Sequence, residues 1–228
     1  MSRQIIMDTE TTGIDPSQGH RIVEIGCVEL IDRKPTGNTF HVYINPERTM
    51  DEEVIRIHGI TNEFVQDKPL FSAVARDFLD FVKDSEMIAH NSNFDINFLD
   101  HELKWLNAGL GKVEDYCSVT DSLAIARKKH PGQKNNLDAL CKRYFIDNSS
   151  RTFHGALLDA QILADVYLAM TGGQTALILG GLGENQEGDA ATIRRLPTDR
   201  AALTVLKASE EELKLHKEKL EKIGQELW

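Results

Sequence analysis

The chain has few cysteines, no long apolar run and a shortage of positive charge, and each lack excludes something. Its 228 residues include three cysteines (Cys27, Cys117 and Cys141), an odd number with no C-x-x-C spacing. That count and spacing point away from a disulfide framework and towards reduced, buried thiols in a cytosolic protein. No segment approaches the ~20 apolar residues that a membrane span requires. Arg3 is followed by Asp8 and Glu10 with no apolar stretch of signal-peptide length, so a cytoplasmic location is expected. Lys and Arg number 26 against 36 Asp and Glu, a formal net charge of −10. Such a balance argues against a broad basic nucleic-acid-binding surface. It leaves room for a nucleic-acid enzyme whose acidic site takes its positive charge from bound divalent cations. No internal repeat is present, and Ser118 near Asp121 lacks the nucleophile elbow of a serine hydrolase.

What is present begins near the start, at Gln4-Ile5-Ile6-Met7-Asp8-Thr9-Glu10-Thr11-Thr12-Gly13. The β-branched apolar run reads as a buried central strand. Asp8 and Glu10 lie two apart, so a strand aims both carboxylates to one face. Two adjacent buried acids repel, and a fold keeps them where a cation neutralises them. Hard oxygen ligands select Mg²⁺, Mn²⁺ or Ca²⁺.

Further on, Ile14 to His20 is loop-like and Arg21 to Ile31 is a strong second strand. Arg33-Lys34-Pro35-Thr36-Gly37 reads as a turn, and Thr39 to Asn45 as a third strand by its alternation. A short helical start at Asp51-Glu52-Glu53 leads to His58-Gly59-Ile60-Thr61. A helical face over Phe71 to Val82 precedes a short strand at Met87 to Asn91. Asn93 reads as the N-cap of a helix from Phe94 towards Leu106. Val113 to Val119 reads as a strand, followed by helices over Asp121 to Lys129, Asn136 to Tyr144 and Gly155 to Met170. A meander of strands followed by alternating strands and helices implies an α/β fold with a mixed sheet flanked by helices. With 41 % hydrophobic residues, one core of ~170–180 residues plus an extension is expected. The composition changes at Thr171-Gly172-Gly173, and the Gly-, Gln- and Glu-rich stretch beyond it reads as a flexible linker. Glu210 to Ile223 is a good helix former with a narrow apolar seam of Leu213, Leu220, Ile223 and Leu227, a docking element rather than a core.

Three more groups stand at telling places. Asp95 falls in the first turn of a helix, which favours negative charge, so it is expected to stay ionised. His154 and Asp159 are five residues apart, a rotation of about 500° that leaves them ~140° out of register on one helix. His154 therefore belongs to the loop before Gly155, with Asp159 one turn into the helix and facing the sheet. Four carboxylates can hold two divalent ions ~3.5–4 Å apart for in-line phosphoryl displacement. A histidine titrating near neutrality can deprotonate the attacking water. Glu24, Glu29 and Asp121 are taken as structural or solvated, and His90 and His101 have no part in the pattern.

Asp8-x-Glu10, Asn91-x-x-Phe94-Asp95 and His154-x-x-x-x-Asp159 resemble the three motifs of the DEDDh 3′→5′ exonucleases. The stretches Asp8 to Gly13, Phe40 to Tyr43, His58-Gly59-Ile60, Asp121 to Ala124, Leu137 to Cys141 and Arg151 to Gly173 are similar to the proofreading subunits of bacterial replicative DNA polymerases. The resemblance covers about residues 3 to 173 and extends more loosely into the tail. It implies a ribonuclease-H-like fold with a five-stranded mixed sheet. It implies two divalent cations, Mg²⁺ or Mn²⁺, with Asp8, Glu10 and Asp159 on one and Asp8 and Asp95 on the other, and His154 as general base. Asp8, Glu10, Thr11, His58 and Asp159 would contact the terminal nucleotide of a DNA 3′ end. Gln174-Thr175-Ala176-Leu177-Ile178-Leu179 is similar to a clamp-binding peptide, with Gln174, Leu177 and Leu179 as anchors and Leu179 in place of the usual aromatic. The implied organisation is an exonuclease domain over 1–173, a linker over 174–191 that binds the sliding clamp, and a segment over 192–228 that docks on the polymerase (alpha) subunit. A small, theta-like accessory subunit on the exonuclease domain is a further partner consistent with it. The motifs alone do not separate DNA from RNA, which is read through the 2′-hydroxyl. A linker and docking helix favour the polymerase-bound reading over an RNA trimmer, and the presence of all five site residues favours an enzyme over a non-catalytic subunit.

Overall fold

The structure is a computed structural model, and it describes residues 2–149, 151, 153–172 and 208–223. The chain divides into two units, Met1–Leu177 and Ile178–Trp228. In the first, β1 (Arg3–Thr11), β2 (Ile22–Ile31) and β3 (Lys34–Tyr43) form an antiparallel meander. The helices α1 (Glu52–His58), α2 (Asn62–Val65) and α3 (Phe71–Val82) lead to β4 (Glu86–Ala89) and α4 (Ser92–Leu106). After β5 (Ser118–Asp121) come α5 (Ser122–Lys129), α6 (Leu137–Tyr144) and α7 (Ala156–Thr171). The five strands lie in the order β3-β2-β1-β4-β5, with β4 and β5 parallel to β1. This is the mixed five-stranded sheet flanked by helices that the sequence implies.

Alternation along β1 sorts its side chains between two layers. Ile5 and Met7 join Ile25, Cys27, Phe78 of α3 and Phe98 of α4 in one core. On the opposite face, Ile6 joins Val28, Leu30 and the α7 residues Leu163 and Tyr167. A third cluster ties α7 to α5 and α6 through Ala126, Leu140, Ile162 and Val166. The three cysteines are buried and free.

Three local expectations are corrected. The β2–β3 turn is Asp32-Arg33, not residues 33–37, and β3 already begins at Lys34. Both turn residues have positive φ, 47° and 65°, the two-residue geometry whose twist matches the strands it joins. Pro35 is tolerated in β3 because that strand is the sheet edge. The stretch 113–119 is not one strand: Val113–Asp115 is a 3-10 turn, held by Lys112 N donating to Asp115 Oδ2 at 2.7 Å. The helix α4 starts one residue before Asn93, after Asn91 in the left-handed region, a conformation Asn tolerates better than most residues.

The second unit contains α8 (Glu210–Ile223). Ser209 caps it by accepting from Glu212 N at 3.3 Å, while Ser209 N donates to Glu212 Oε2 at 2.8 Å, a capping box. Leu213 and Leu215 on it are exposed. The expected linker and the expected clamp-binding anchors Gln174, Leu177 and Leu179 lie outside the described residues, as does the expected docking segment except for 208–223. Among the described residues, no helix is long and apolar enough to cross a membrane.

Candidate active site

Asp8 and Glu10 leave β1 on the face covered by α7, the same face as Ile6. Across the ladder they pair with Gly26 and Glu24 of β2. Glu24 is buried and supports the site from below. Its Oε1 lies 2.7 Å from His41 Nε2, and its Oε2 accepts from Ala156 N, the first residue of α7, at 3.0 Å. Gly26 leaves a space that the backbone of Ala156 and Leu157 fills, so α7 sits close against the sheet. Gly155 is the N-cap of α7, which leaves His154 on the preceding loop and Asp159 in the first turn. The separation of the two onto loop and helix is thus as the helical rotation requires.

The acid of α4 arrives from the other side. Thr9 points opposite to Asp8 and Glu10, and its hydroxyl donates to Asp95 Oδ1 at 2.6 Å. Asp121, the N-cap of α5, accepts from Asn91 N at 3.0 Å and holds the turn that leads into α4.

Asp8, Glu10, Asp95, His154 and Asp159 all line one cleft of about 210 Å³, together with His90, Asn91 and Arg151. Donor atoms of Glu10, His154 and Asp159 lie within 4.8 Å of one another, and His154 Nδ1 is 3.6 Å from Asp159 Oδ2. Thr11 and His58 do not line this cleft. The Thr11 hydroxyl donates to Gly13 O at 2.6 Å. His58 Nδ1 accepts from Ile60 N at 3.0 Å, and its Nε2 is buried with no partner among the described residues. The end of α1, which carries His58, nevertheless touches the site, because His154 N donates to Ile57 O at 3.1 Å.

The electrostatics are those of an acid cluster short of cations. Burial, then the neighbouring Asp95, Glu10 and Asp159, pushes the Asp8 carboxyl well above the usual range. Burial followed by Asp159 and Glu24 pushes Glu10 up to about 8. Asp95 is pushed up to about 7 by burial, against the lowering effect of its bond from Thr9. Burial thus works against the helix N-terminal field, which favours the ionised form of Asp95. The Arg151 guanidinium opposes the rise at both Asp8 and Glu10. Residues of this chemistry fit a divalent cation, which would bring the positive charge that so many hard oxygen donors lack.

These shifts set a pH dependence. The folded values of Glu10 and Asp95 lie above their unfolded ones, so the native chain binds more protons and stability falls as pH rises through about 7 to 8. Buried His58 and His90 are shifted down and pull the opposite way below about pH 6.5. In EDTA, the melting temperature is expected to fall by about 5–10 °C between pH 6.5 and 9, and excess Mg²⁺ should flatten the slope. A melting temperature in EDTA that is level or rises over this range would contradict the assignment.

Two participants were not visible as such in the sequence. Arg151 lies in a polar stretch with no periodicity to place its side chain. Gly26 reads as an ordinary strand residue, and only a glycine within a strand hints at a close approach.

A mixed sheet whose central strand sends two acids towards a third on the covering helix defines a nuclease of ribonuclease-H-like fold, and residues 5–167 match a family model described as "Exonuclease". The chain is 51 % identical over 237 residues to "DNA polymerase III subunit epsilon" of Salmonella typhimurium, covering 100 % of this chain and 98 % of that relative. With the subunit of the same name from Escherichia coli K12 it is 49 % identical at the same coverage. The chain therefore belongs to the exonuclease family, among the DNA polymerase III epsilon subunits. Among solved structures it is similar to "Exonuclease X in complex with 5' overhanging duplex DNA", with a TM-score of 0.56, 28 % identity and coverage of 76 % and 94 % of the two chains. It shares its fold with E. coli exonuclease I bound to a dA16 oligonucleotide, with a TM-score of 0.63, 17 % identity and coverage of 76 % and 41 %.

Proposed function

We propose that the chain is a 3′→5′ exodeoxyribonuclease that proofreads for a replicative DNA polymerase, releasing nucleoside 5′-monophosphates from mispaired 3′ ends. The observation that carries this reading is the convergence of Asp8, Glu10, Asp95, Asp159 and His154 on one cleft, in a chain similar over its full length to polymerase subunits. Asp8, Glu10 and Asp159 would hold one Mg²⁺ or Mn²⁺, and Asp8 with Asp95 a second. When bound, such ions supply charge stabilisation for the attacking and leaving oxygens of an in-line displacement. His154, on a loop and half exposed, takes the proton of the attacking water as its oxygen bonds to phosphorus. The bond from phosphorus to the 3′ oxygen of the preceding nucleotide then breaks, and that oxygen takes a proton from solvent, leaving a new 3′ hydroxyl and a free 5′-monophosphate. Thr9 and Asn91 keep Asp95 and its turn in place, and Glu24 anchors the start of the helix that carries Asp159.

Selectivity has a physical source in the substrate. A mispaired terminus costs less to unstack into a single-strand site than a paired one. Thr11 and the His58-Gly59-Ile60 loop would contact the terminal nucleotide. The segment 192–228 would dock on the polymerase subunit, residues 174–191 would bind the sliding clamp through Gln174, Leu177 and Leu179, and a small accessory subunit would sit on the exonuclease domain, all in the cytoplasm.

The test is hydrolysis of a 3′-labelled single-stranded DNA oligonucleotide and its RNA twin, with Mg²⁺ and with EDTA. Metal-dependent release of deoxynucleoside monophosphates, faster from DNA than from RNA and faster from a mispaired than a paired end, is expected. Preference for RNA would replace the reading with an RNA-trimming enzyme, and inactivity on both would leave a binding subunit.

A further inference from the structure

One guanidinium occupies both the acid and the base of the site. Arg151 lies on the loop before α7 with its side chain only 9 % exposed. Its Nε donates to Asp159 Oδ1 at 2.5 Å and its Nη2 to Asp159 Oδ2 at 2.6 Å. This fork-to-carboxylate pairing is one that lysine cannot reproduce. The same Nη2 lies 2.8 Å from His154 Nδ1. Arginine has no lone pair to offer, so Nδ1 is the acceptor and a neutral ring carries its proton on Nε2. Both oxygens of a metal-ligand candidate and the free basic nitrogen of the general-base candidate are therefore engaged by one side chain.

We propose that Arg151 is a displaceable counter-ion: it closes Asp159 and His154 in the metal-free site and gives way when a divalent cation binds. The proposal rests on the reading of this cleft as a cation site. A cation on Asp159 and a guanidinium forked onto the same carboxylate repel strongly in a cleft of reduced dielectric, so the two exclude each other. Leaving Asp159 does not strand the arginine. Its Nη1 already donates to Asp138 Oδ1 at 2.9 Å, and Asp138 is half exposed at the start of α6. A swing towards Asp138 keeps a carboxylate partner and gains water, where an unpaired buried charge would be costly. The exchange also couples two events. His154 Nδ1 loses its donor when the cation displaces Arg151, so the base becomes free only in a loaded site. Arg151 is thus a positioning residue, acting through Asp159 and His154.

The test uses the full chain with Mn²⁺ alone as probe, in wild type, Arg151→Gln, Arg151→Lys and Asp159→Asn. Arg151→Gln is expected to bind Mn²⁺ about tenfold more tightly by calorimetry, because a competing cation is gone. Its metal-free ¹⁵N spectrum should show His154 Nδ1 already in the position that wild type reaches only on adding Mg²⁺. Arg151→Lys, which keeps the charge, should not share the gain in affinity. A merely structural arginine predicts the reverse, with a looser site and weaker Mn²⁺ binding in Arg151→Gln. Unchanged or weaker binding by the folded variant would overturn the proposal. So would an Arg151 to His154 hydrogen bond that persists in Mg²⁺-saturated wild type, a measurement that needs no variant to fold. Failure of wild type to bind Mn²⁺, or equal binding by Asp159→Asn, would overturn the cation-site reading itself.

Discussion

Asp8→Ala is expected to lower the rate of 3′-terminal hydrolysis by ~10³-fold or more, while leaving the metal-free protein at least as stable as wild type. The two halves of this result have one cause. Asp8 is the acid that Asp95, Glu10 and Asp159 all push upward, so it stands in the field of every other carboxylate of the cleft. On the proposed two-cation reading that position would let it be shared between both ions, and its loss would weaken both. Without a cation the same position is a liability, since ionising Asp8 works against burial and against three neighbours. Removing it relieves repulsion at a small packing cost. A structural acid would behave oppositely, losing stability on truncation and activity only in proportion. Steady-state hydrolysis of single-stranded DNA in Mg²⁺, beside thermal melts in EDTA at pH 8, separates the cases. Activity within about tenfold of wild type would remove Asp8 from the catalytic machinery.

Much of this arrangement is legible in the sequence because it rests on short-range periodicity. Asp8 and Glu10 share a face through the period of a strand, and the strand is recognisable from Ile5 to Met7. The placing of His154 off the helix and Asp159 on it follows from helical rotation and from Gly155. The order of the elements predicts a mixed sheet, since a meander cannot be parallel and strands alternating with helices favour parallel pairing. What stays illegible depends on contacts between distant segments. The Asp32-Arg33 turn has no glycine to announce it, and the glycine at 37 draws attention to the wrong residues. The state of Asp95 depends on how deeply α4 packs, which a helix-start signal does not report. Arg151 is joined to Asp159 across a loop and to Asp138 across most of α6 and the segment after it, and neither link has a sequence period. Glu24 reads as a bystander until the first N–H of α7 is found on it.

Gly26→Ala is expected to lower the melting temperature by about 6–12 °C and to weaken Mn²⁺ binding in the fraction that folds. A Cβ at Gly26 would overlap the backbone of Ala156 and Leu157. Backbone cannot rotate aside as a side chain can, so the start of α7 must lift from the sheet. An overpacked site costs ~1–3 kcal/mol when side chains can adjust, and this one belongs at or above the upper end. The same lift stretches the bond from Ala156 N to Glu24 Oε2 and carries Asp159 away from Asp8 and Glu10. Displacing one member of a catalytic constellation by about an ångström can cost ~10²-fold in rate. Stability and metal affinity should therefore fall together in Gly26→Ala, whereas Asp8→Ala separates them. Wild-type melting with wild-type Mn²⁺ affinity would mean that α7 has slack at this point. Register explains why it should have none: Gly26 is the direct cross-strand partner of Asp8. A close approach of helix to sheet thus falls beside the first acid of the site, and a shift of α7 there would change the distance across which the acids face one another.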